Sequence, residues 1–311
     1  MFLIRSACPI CSHSDTVELY TAPFAQAPIG PFLEEQYAPV GHGIDLSVLG
    51  DAQYCLHRCP NCELVFQKNI PGDELMHILY ERWIDADVTK ENHRVQDDVN
   101  LFNGYANEIS LIVDMNGKIP DEQRFLDFGM GWAKWACMAK AFGVTAEGCE
   151  LSEKRIENAR QLGVGICDWD DIPGGNYDFI NTEQVYEHIG DPLETLCHLK
   201  QGLASGGLIK ISVPPSVGID KRLQKMNWKA ARGSKEDLNA VFPLEHINCY
   251  KWKTFEVLAD KAGMEIVSIP MRKQYRYTSN WRSAKAIARN LIVPIYRNVF
   301  KLQNYVFLRS Q

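Results

Sequence analysis

The chain carries no Asp or Glu after Glu265, although residues 271–311 hold nine Lys or Arg. Residues 1–270 therefore carry 24 − 39 = −15, and the whole chain −6. A net negative charge works against general binding of polyanions. No apolar run approaches the eighteen or so residues of a membrane helix. The opening MFLIR is too short for the core of a secretory leader, and nothing like a cleavage site follows it. Internal repeats and low-complexity tracts are also lacking, which argues against solenoid and disordered chains. What remains is an ordinary globular composition, 46% hydrophobic and 23% charged. Its 311 residues suit one large domain or two smaller ones. The expected compartment is the cytoplasm, where ten cysteines stay reduced or bind metal.

The order of elements points to an α/β fold. Residues 1–75 are rich in Cys, Pro and Gly with short apolar runs, as in a loop-rich module that needs a staple. Residues 76–120 read as a helical linker and substrate cap. Residues 121–311 begin a regular series: strand RFLDFG (124–129), helix WAKWACMAKAFG (132–143), strand TAEGCEL (145–151), then a helix behind Ser152. Strands follow at 164–169, 177–184, 207–214 and 264–270, with helices from Pro192 and over 251–263. Strands alternating with helices of this length give βαβ units and a mostly parallel sheet.

Cys8-Pro-Ile-Cys11 and Cys59-Pro-Asn-Cys62 form two C-x-x-C knuckles. Each sets two thiolates on one turn, and together they supply the four tetrahedral ligands of a closed, structural Zn²⁺ site. A reduced pair of redox or core thiols is the competing reading. Cys55 and His57 lie nearby as substitute ligands, but the paired spacing favours the other four. Cys137, Cys149, Cys167, Cys197 and Cys249 sit in apolar stretches and read as core thiols.

Asp127-Phe-Gly129-Met-Gly131-Trp follows a strand and opens a helix, where bare backbone N–H groups can meet a ligand. Glu150 ends the next strand, at the position of an acid that takes ribose hydroxyls. Lys134 stands where a dinucleotide fingerprint has its third glycine, so a nicotinamide or flavin dinucleotide is disfavoured.

Across residues 124–270 the chain resembles the class I S-adenosylmethionine-dependent methyltransferases. LDFGMG is similar to the family's first motif and GCELSEKRIENAR to its second. CDWDDIP with YDFINTEQVYEHIGDP resembles the third and fourth, LASGGLIKISVP the fifth strand, and EHINCYKWKTFEVLADKAGMEIV the approach to the last helix and sixth strand. The resemblance implies a Rossmann-like seven-stranded sheet, with NYVFLRS (304–310) as an antiparallel seventh strand and 271–303 as a basic insertion. It implies that Asp127, Gly129 and Gly131 cradle the methionine part of the cofactor. Glu150 would hold the ribose, Leu151 would pack on the adenine, and Asp168 and Trp169 would meet its amino group and ring. Asn181 through Glu183 and Gln184 would line the donor methyl.

The activated methyl needs an aligned acceptor, and a hydroxyl or a carbon beside a carbonyl must also lose a proton to a base. His188 (in Tyr186-Glu187-His188) and His246 (after Glu245) are the candidates, both in loops after strand ends. His246 is the favoured base, with Glu245 orienting it or binding substrate; a structural hydrogen bond is the plain alternative for His188. The zinc module and the Glu-His-x-x-x-Tyr stretch resemble the zinc-containing sugar C-methyltransferases, which act on nucleotide-linked deoxysugars. That resemblance brings Tyr80 to the acceptor, although a packed helix aromatic is the commoner role. Those enzymes usually continue into a further carboxy-terminal domain, whereas this sequence stops at the expected seventh strand, so O-methylation of a glycan or metabolite fits equally well.

In the basic segment 271–303, Tyr275, Tyr277, Trp281 and Tyr296 stand among Lys and Arg. It reads as a docking surface for an anionic acceptor, such as a nucleotide sugar or lipid-linked glycan, or as a solvated face. A third reading is peripheral membrane contact, with Pro294 interrupting an amphipathic helix. An RNA methyltransferase is the alternative function. Against it, residues 1–72 hold only Arg5, Arg58 and Lys68 beside Asp15, Glu18, Glu34, Glu35, Asp45, Asp51 and Glu63, and a nucleic-acid grip should be basic.

Overall fold

The computed structural model describes residues 1–95, 98–277 and 283–311. The first strands are β1 (Phe2–Ile4), β2 (Val17–Pro23), β3 (Gln53–Arg58), β4 (Val65–Gln67) and β5 (Asn69–Pro71). Helices α1 (Ile29–Tyr37), α2 (Asp73–Ile78), α3 (Ala86–Val95) and α4 (Val99–Asn116) lie among and after them. The series continues with β6 (Arg124–Phe128), α5 (Lys134–Ala141), β7 (Thr145–Cys149), α6 (Glu153–Gln161), β8 (Gly165–Ile166) and β9 (Tyr177–Glu183). Next come α7 (Pro192–Gln201), β10 (Leu203–Ser212), α8 (Ile219–Lys225), β11 (Asn248–Cys249), α9 (Trp252–Lys261) and β12 (Met264–Val267). The chain closes with α10 (Met271–Arg276), α11 (Ala284–Phe300) and β13 (Tyr305–Ser310).

These elements form two compact units. One gathers residues 1–95, 186–193 and 213–258; the other holds 96–185, 194–212 and 259–311. This division does not follow the expected boundaries at 75 and 120, because the loops after β9 and β10 belong with the N-terminal residues. The reason is pairing: two-residue β11 adds antiparallel to β4, giving the sheet order β11-β4-β3-β2. Arg5 reinforces it, donating to the Gly190 carbonyl at 2.8 Å and to Asn248 Oδ1 at 2.9 Å. Gln67 donates to the carbonyls of Phe242 and His246.

In this first unit, Ile29, Leu33 and Tyr37 recur at helical spacing on α1 and pack with Leu75, Leu79 and Trp83. Tyr54 meets Phe24 and Trp228 edge to face, so the later segment contributes its own aromatic to the core. Each large side chain buried here is worth about 1.5–3 kcal/mol.

The second unit contains the expected seven-stranded sheet, ordered β12-β13-β10-β9-β6-β7-β8. All neighbours are parallel except β13, which runs antiparallel between β10 and β12. Tyr305–Ser310 is thus the seventh strand. In β9, Tyr177 through Thr182 are all buried, as a central strand covered on both faces requires. The strand expected at 164–169 pairs only over Gly165–Ile166, and Trp169–Asp171 close into a short 3₁₀ turn. Phe125, Trp135 and Phe179 centre the core, with Ile109 and Ile112 of α4 packed in.

The segment 271–303 contains α10 and α11. Pro294 does not interrupt α11, contrary to expectation: the helix continues to Phe300, because a proline removes only one bond of a helix seventeen residues long. Ile287, Leu291, Ile292 and Ile295 are exposed along it. Lys273 and Arg276 both face Asp114, at 3.4 and 3.8 Å. Trp281 and the side chain of Tyr296 lie outside the described residues. No helix among the described residues is long and apolar enough to cross a membrane.

Candidate cofactor, metal and catalytic sites

The glycine turn after β6 is built for close approach. Gly129 has φ +71°, and a Cβ there would sit 2.6 Å from Val185 Cγ2, so only glycine fits. Gly131 also has a positive φ, with open space around it. Its N–H donates to Glu150 Oε2 at 2.9 Å, while Glu150 Oε1 accepts from the N–H groups of Leu151 and Ser152. One carboxylate therefore ties the glycine turn to the end of β7, and Arg155 stands 3.6 Å from it. Beside it Leu151 is 96% exposed, an apolar side chain with no cover of its own. Asp168 is exposed on the next loop, and Trp169 stacks on His198 with ring centroids 3.8 Å apart. Of the expected cofactor residues, Gly131, Glu150 and Leu151 are thus linked by hydrogen bonds.

Asp127 is buried and accepts from Asn181 Nδ2 at 2.8 Å. Burial pushes its carboxyl up to about 7, against the downward pull of Asn181 and Lys210. An acid so raised gains from a cationic ligand. At the end of β9, Glu183 is already engaged: Lys210 Nζ lies 2.5 Å from both Glu183 and Glu108, and Ser212 donates to Glu183 at 3.0 Å. Burial works against the Lys210 charge, but the two carboxylates hold it protonated. Gln184 adopts φ +54°, a conformation uncommon outside glycine. No sequence motif singles out Lys210, Glu108 or Tyr105. The Tyr105 phenol is pushed up to about 12 by burial, with the Asp127 carboxylate adding to the effect. Only the position of Tyr105 and Glu108 three residues apart on one helix hinted that both share a face.

The four knuckle cysteines converge. Cys8 and Cys62 sulfurs are 3.5 Å apart, Cys11 and Cys59 3.4 Å, and all four lie within 4.8 Å of one another. Tetrahedral Zn–S bonds of about 2.3 Å require S···S edges of about 3.8 Å, so the set fits zinc after slight expansion. The knuckles are copies of one turn. Ser12 N–H donates to Cys8 O and Glu63 N–H to Cys59 O, both at 2.9 Å, and both donors have positive φ. Burial pushes the Cys59 thiol up to about 11, while hydrogen bonding, first from Cys62, pulls Cys8 down to about 5.

The two candidate histidines also meet, both in the first unit. Their ring centroids are 4.9 Å apart and the planes cross at 74°. His246 Nδ1 bonds the Asn239 carbonyl, which makes Nδ1 the protonated nitrogen and leaves Nε2 as an acceptor. Glu245 does not orient this ring: its carboxylate accepts from Tyr37 Oη at 2.6 Å. Residues 243–245 form a turn closed by the His246 N–H on the Phe242 carbonyl, and the group that orients the ring is a carbonyl seven residues away. Glu187 lies 3.9 Å from His188 Nε2. Tyr80 lies in a π-helical turn, Leu79–Trp83, and its phenol is close enough to raise that of Tyr37. Such turns are rare and favour functional sites. Tyr37 and Asn239 were not legible in the sequence.

Burial pushes His188 down to about 3, helped by His246, and His246 down to about 4. Both imidazoles are neutral at pH 7 and able to accept a proton. The unfolded chain takes up protons at both near pH 6.5, where the folded chain does not. Stability is therefore complete above pH 6.5 and falls with acidification toward pH 4, by up to about 1.4 kcal/mol per pH unit for each imidazole. Urea melts at pH 7.5 and 5.0 check this, and a double His188→Gln/His246→Gln variant should lose most of the difference.

The family model described as "Methyltransferase domain" matches residues 92–269. Among solved structures, the chain is similar to the plantazolicin methyltransferase BpumL in complex with a pentazolic desmethylPZN analog and SAH. The identity is 18% and the TM-score 0.47, over 76% of this chain and 95% of that one. It is also similar to PKMT2 from Rickettsia typhi in complex with AdoHcy (14% identity, TM-score 0.39, 62% and 50% covered). A third is an amino pentose methyltransferase from Micromonospora echinaspora (19% identity, TM-score 0.35, 40% and 56% covered). A comparison with curated proteins finds no match. The chain belongs to the methyltransferase-domain family and is an S-adenosylmethionine-dependent methyltransferase.

Proposed function

We propose that the enzyme methylates a small-molecule acceptor, a sugar, nucleotide sugar or glycan, at a hydroxyl or at a carbon beside a ketone. The observation that carries this reading is the neutral imidazole of His246, with its Nδ1–H committed to the Asn239 carbonyl. An amine or thiolate acceptor has no use for such a base, whereas an alcohol or carbon acid does. Bound S-adenosylmethionine supplies a methyl group already activated on a sulfonium. Asp127, Gly129, Gly131, Glu150, Leu151, Asp168 and Trp169 are proposed to hold it, with Asn181 through Gln184 along the methyl. His246 takes the acceptor proton at Nε2. Glu245, held by Tyr37, and Tyr80 orient acceptor hydroxyls, and His188 shields the base from water. The basic residues of 271–303 favour an acceptor with a phosphate. The four-cysteine Zn²⁺ is structural, since four thiolates leave no open position.

The test is methyl transfer to a panel holding a nucleotide-linked keto sugar, simple glycans and RNA, with products resolved by NMR. Transfer to RNA alone would overturn the proposal in favour of a nucleic-acid enzyme. For the cofactor residues, Glu150→Ala is expected to weaken S-adenosylmethionine by at least about 10-fold in calorimetry. Two hydrogen bonds to a charged group are lost, each worth about 1.5–3 kcal/mol. Unchanged affinity would refute the assignment.

A further inference from the structure

On the sheet of the first unit, Glu18, Cys55 and His57 bring three different donor atoms to one point, apart from the four knuckle cysteines. Cys55 and His57 alternate on β3, so both face the same side. Across from them on β2, Glu18 pairs with His57 and Thr21 with Cys55. Two steps on β3 thus face three steps on β2, and the irregularity between Glu18 and Tyr20 takes up the difference. That bulge turns Glu18 onto the face of Cys55 and His57.

The distances match one small ion. Glu18 Oε2 lies 3.7 Å from Cys55 Sγ and 3.9 Å from His57 Nε2, and the three donors lie within 4.8 Å of one another. Zn–N, Zn–O and Zn–S bonds of about 2.0–2.3 Å place tetrahedral ligands about 3.3–3.8 Å apart. A second, independent observation concerns His57. The residue is only 6% exposed, and its Nε2 is buried without a hydrogen-bond partner. Its Nδ1 lies 2.9 Å from Thr16 Oγ1. With Nδ1–H donated to that hydroxyl, the Nε2 lone pair is directed at Cys55 and Glu18, the arrangement in which metal-bound histidines are held.

We infer that Glu18, Cys55 and His57 form a second cation site, selective for a zinc-class divalent ion. A thiolate with an imidazole suits such ions and disfavours magnesium or calcium. Binding releases the Cys55 S–H proton to solvent and replaces it with the metal bond. The thiolate and carboxylate then neutralise the ion, which keeps the nearby Lys68 ammonium tolerable. Glu18 is the exposed edge of the set, so ion entry and the fourth position lie on the solvent side. Three protein ligands leave that position to water, in contrast to the closed four-cysteine set.

The test is zinc titration of the full chain against a chromophoric chelator, with far-UV circular dichroism as a fold control. Two equivalents are expected in the wild type. Glu18→Ala, on the exposed edge, and His57→Gln should each weaken the second equivalent by at least about 10-fold and leave the first unchanged. Cys59→Ala should instead remove the first. A single equivalent in the wild type would overturn the inference. So would a second equivalent that survives both Glu18→Ala and His57→Gln, because that ion would lie elsewhere.

Discussion

Replacing His246 with alanine should lower turnover by about 10²–10⁴-fold and leave S-adenosylmethionine affinity within about twofold. The basis is the fixed tautomer: Asn239 holds Nδ1–H, so a proton can be accepted only at Nε2. Burial pushes the ring down to about 4, so it is neutral throughout the physiological range. With a nucleotide-linked keto sugar, the variant should also lose exchange of the acidic C–H with deuterated solvent when no methyl donor is added. That exchange reports proton removal without methyl transfer. Loss of turnover with exchange intact would make His246 a positioning residue. His188→Ala should cost less, because His188 Nδ1 has no hydrogen-bond partner to orient it as Asn239 orients His246.

Removing the zinc proposed for the knuckle cysteines should be more drastic for stability than any single core substitution. Structural zinc is worth about 10–16 kcal/mol in apparent binding free energy where a small module depends on it. Here the knuckles anchor more than their own turns: Thr254 Oγ1 donates to the Cys62 carbonyl at 2.8 Å, which ties the start of α9 to the second knuckle. Cys59→Ser, or a strong chelator, is expected to expose residues 1–95 and 213–258 to proteolysis together. Zinc content and cleavage sites by mass spectrometry check this. A chelated protein that keeps its proteolytic pattern and melting temperature would show the metal to be dispensable.

The catalytic sheet was largely legible because its signals are local. β6, β9 and β10 contain apolar runs next to helices of regular period, and the glycine turn and Glu150 sit at fixed places between them. β13 could be placed only through family topology, since an antiparallel strand after a long insertion carries no signal of its own. The knuckles were legible because two cysteines two apart need only one turn to meet. The surroundings of the histidines were not. Asn239 and Tyr37 reach His246 and Glu245 through contacts that depend on the β11–β4 pairing, and a two-residue strand has no period to detect. The Lys210 network escaped for a related reason: a lysine inside the apolar run GLIKISVP reads as an edge residue until two carboxylates are found beside it.

The pairing of β4 with β11 has a consequence for synthesis. Asn248 leaves the ribosome 183 residues after Val65, a delay of about 10–40 s at usual elongation rates. During that interval the sheet of the first unit has an open edge at β4, and Arg5 and Gln67 lack the loops they bind. All four knuckle cysteines, however, are available once Cys62 has emerged. An early-bound zinc ion would hold residues 8–62 as a closed loop while the rest is made, protecting an edge that is otherwise open to intermolecular pairing. Zinc supply during translation, rather than afterwards, would then govern the yield of folded enzyme.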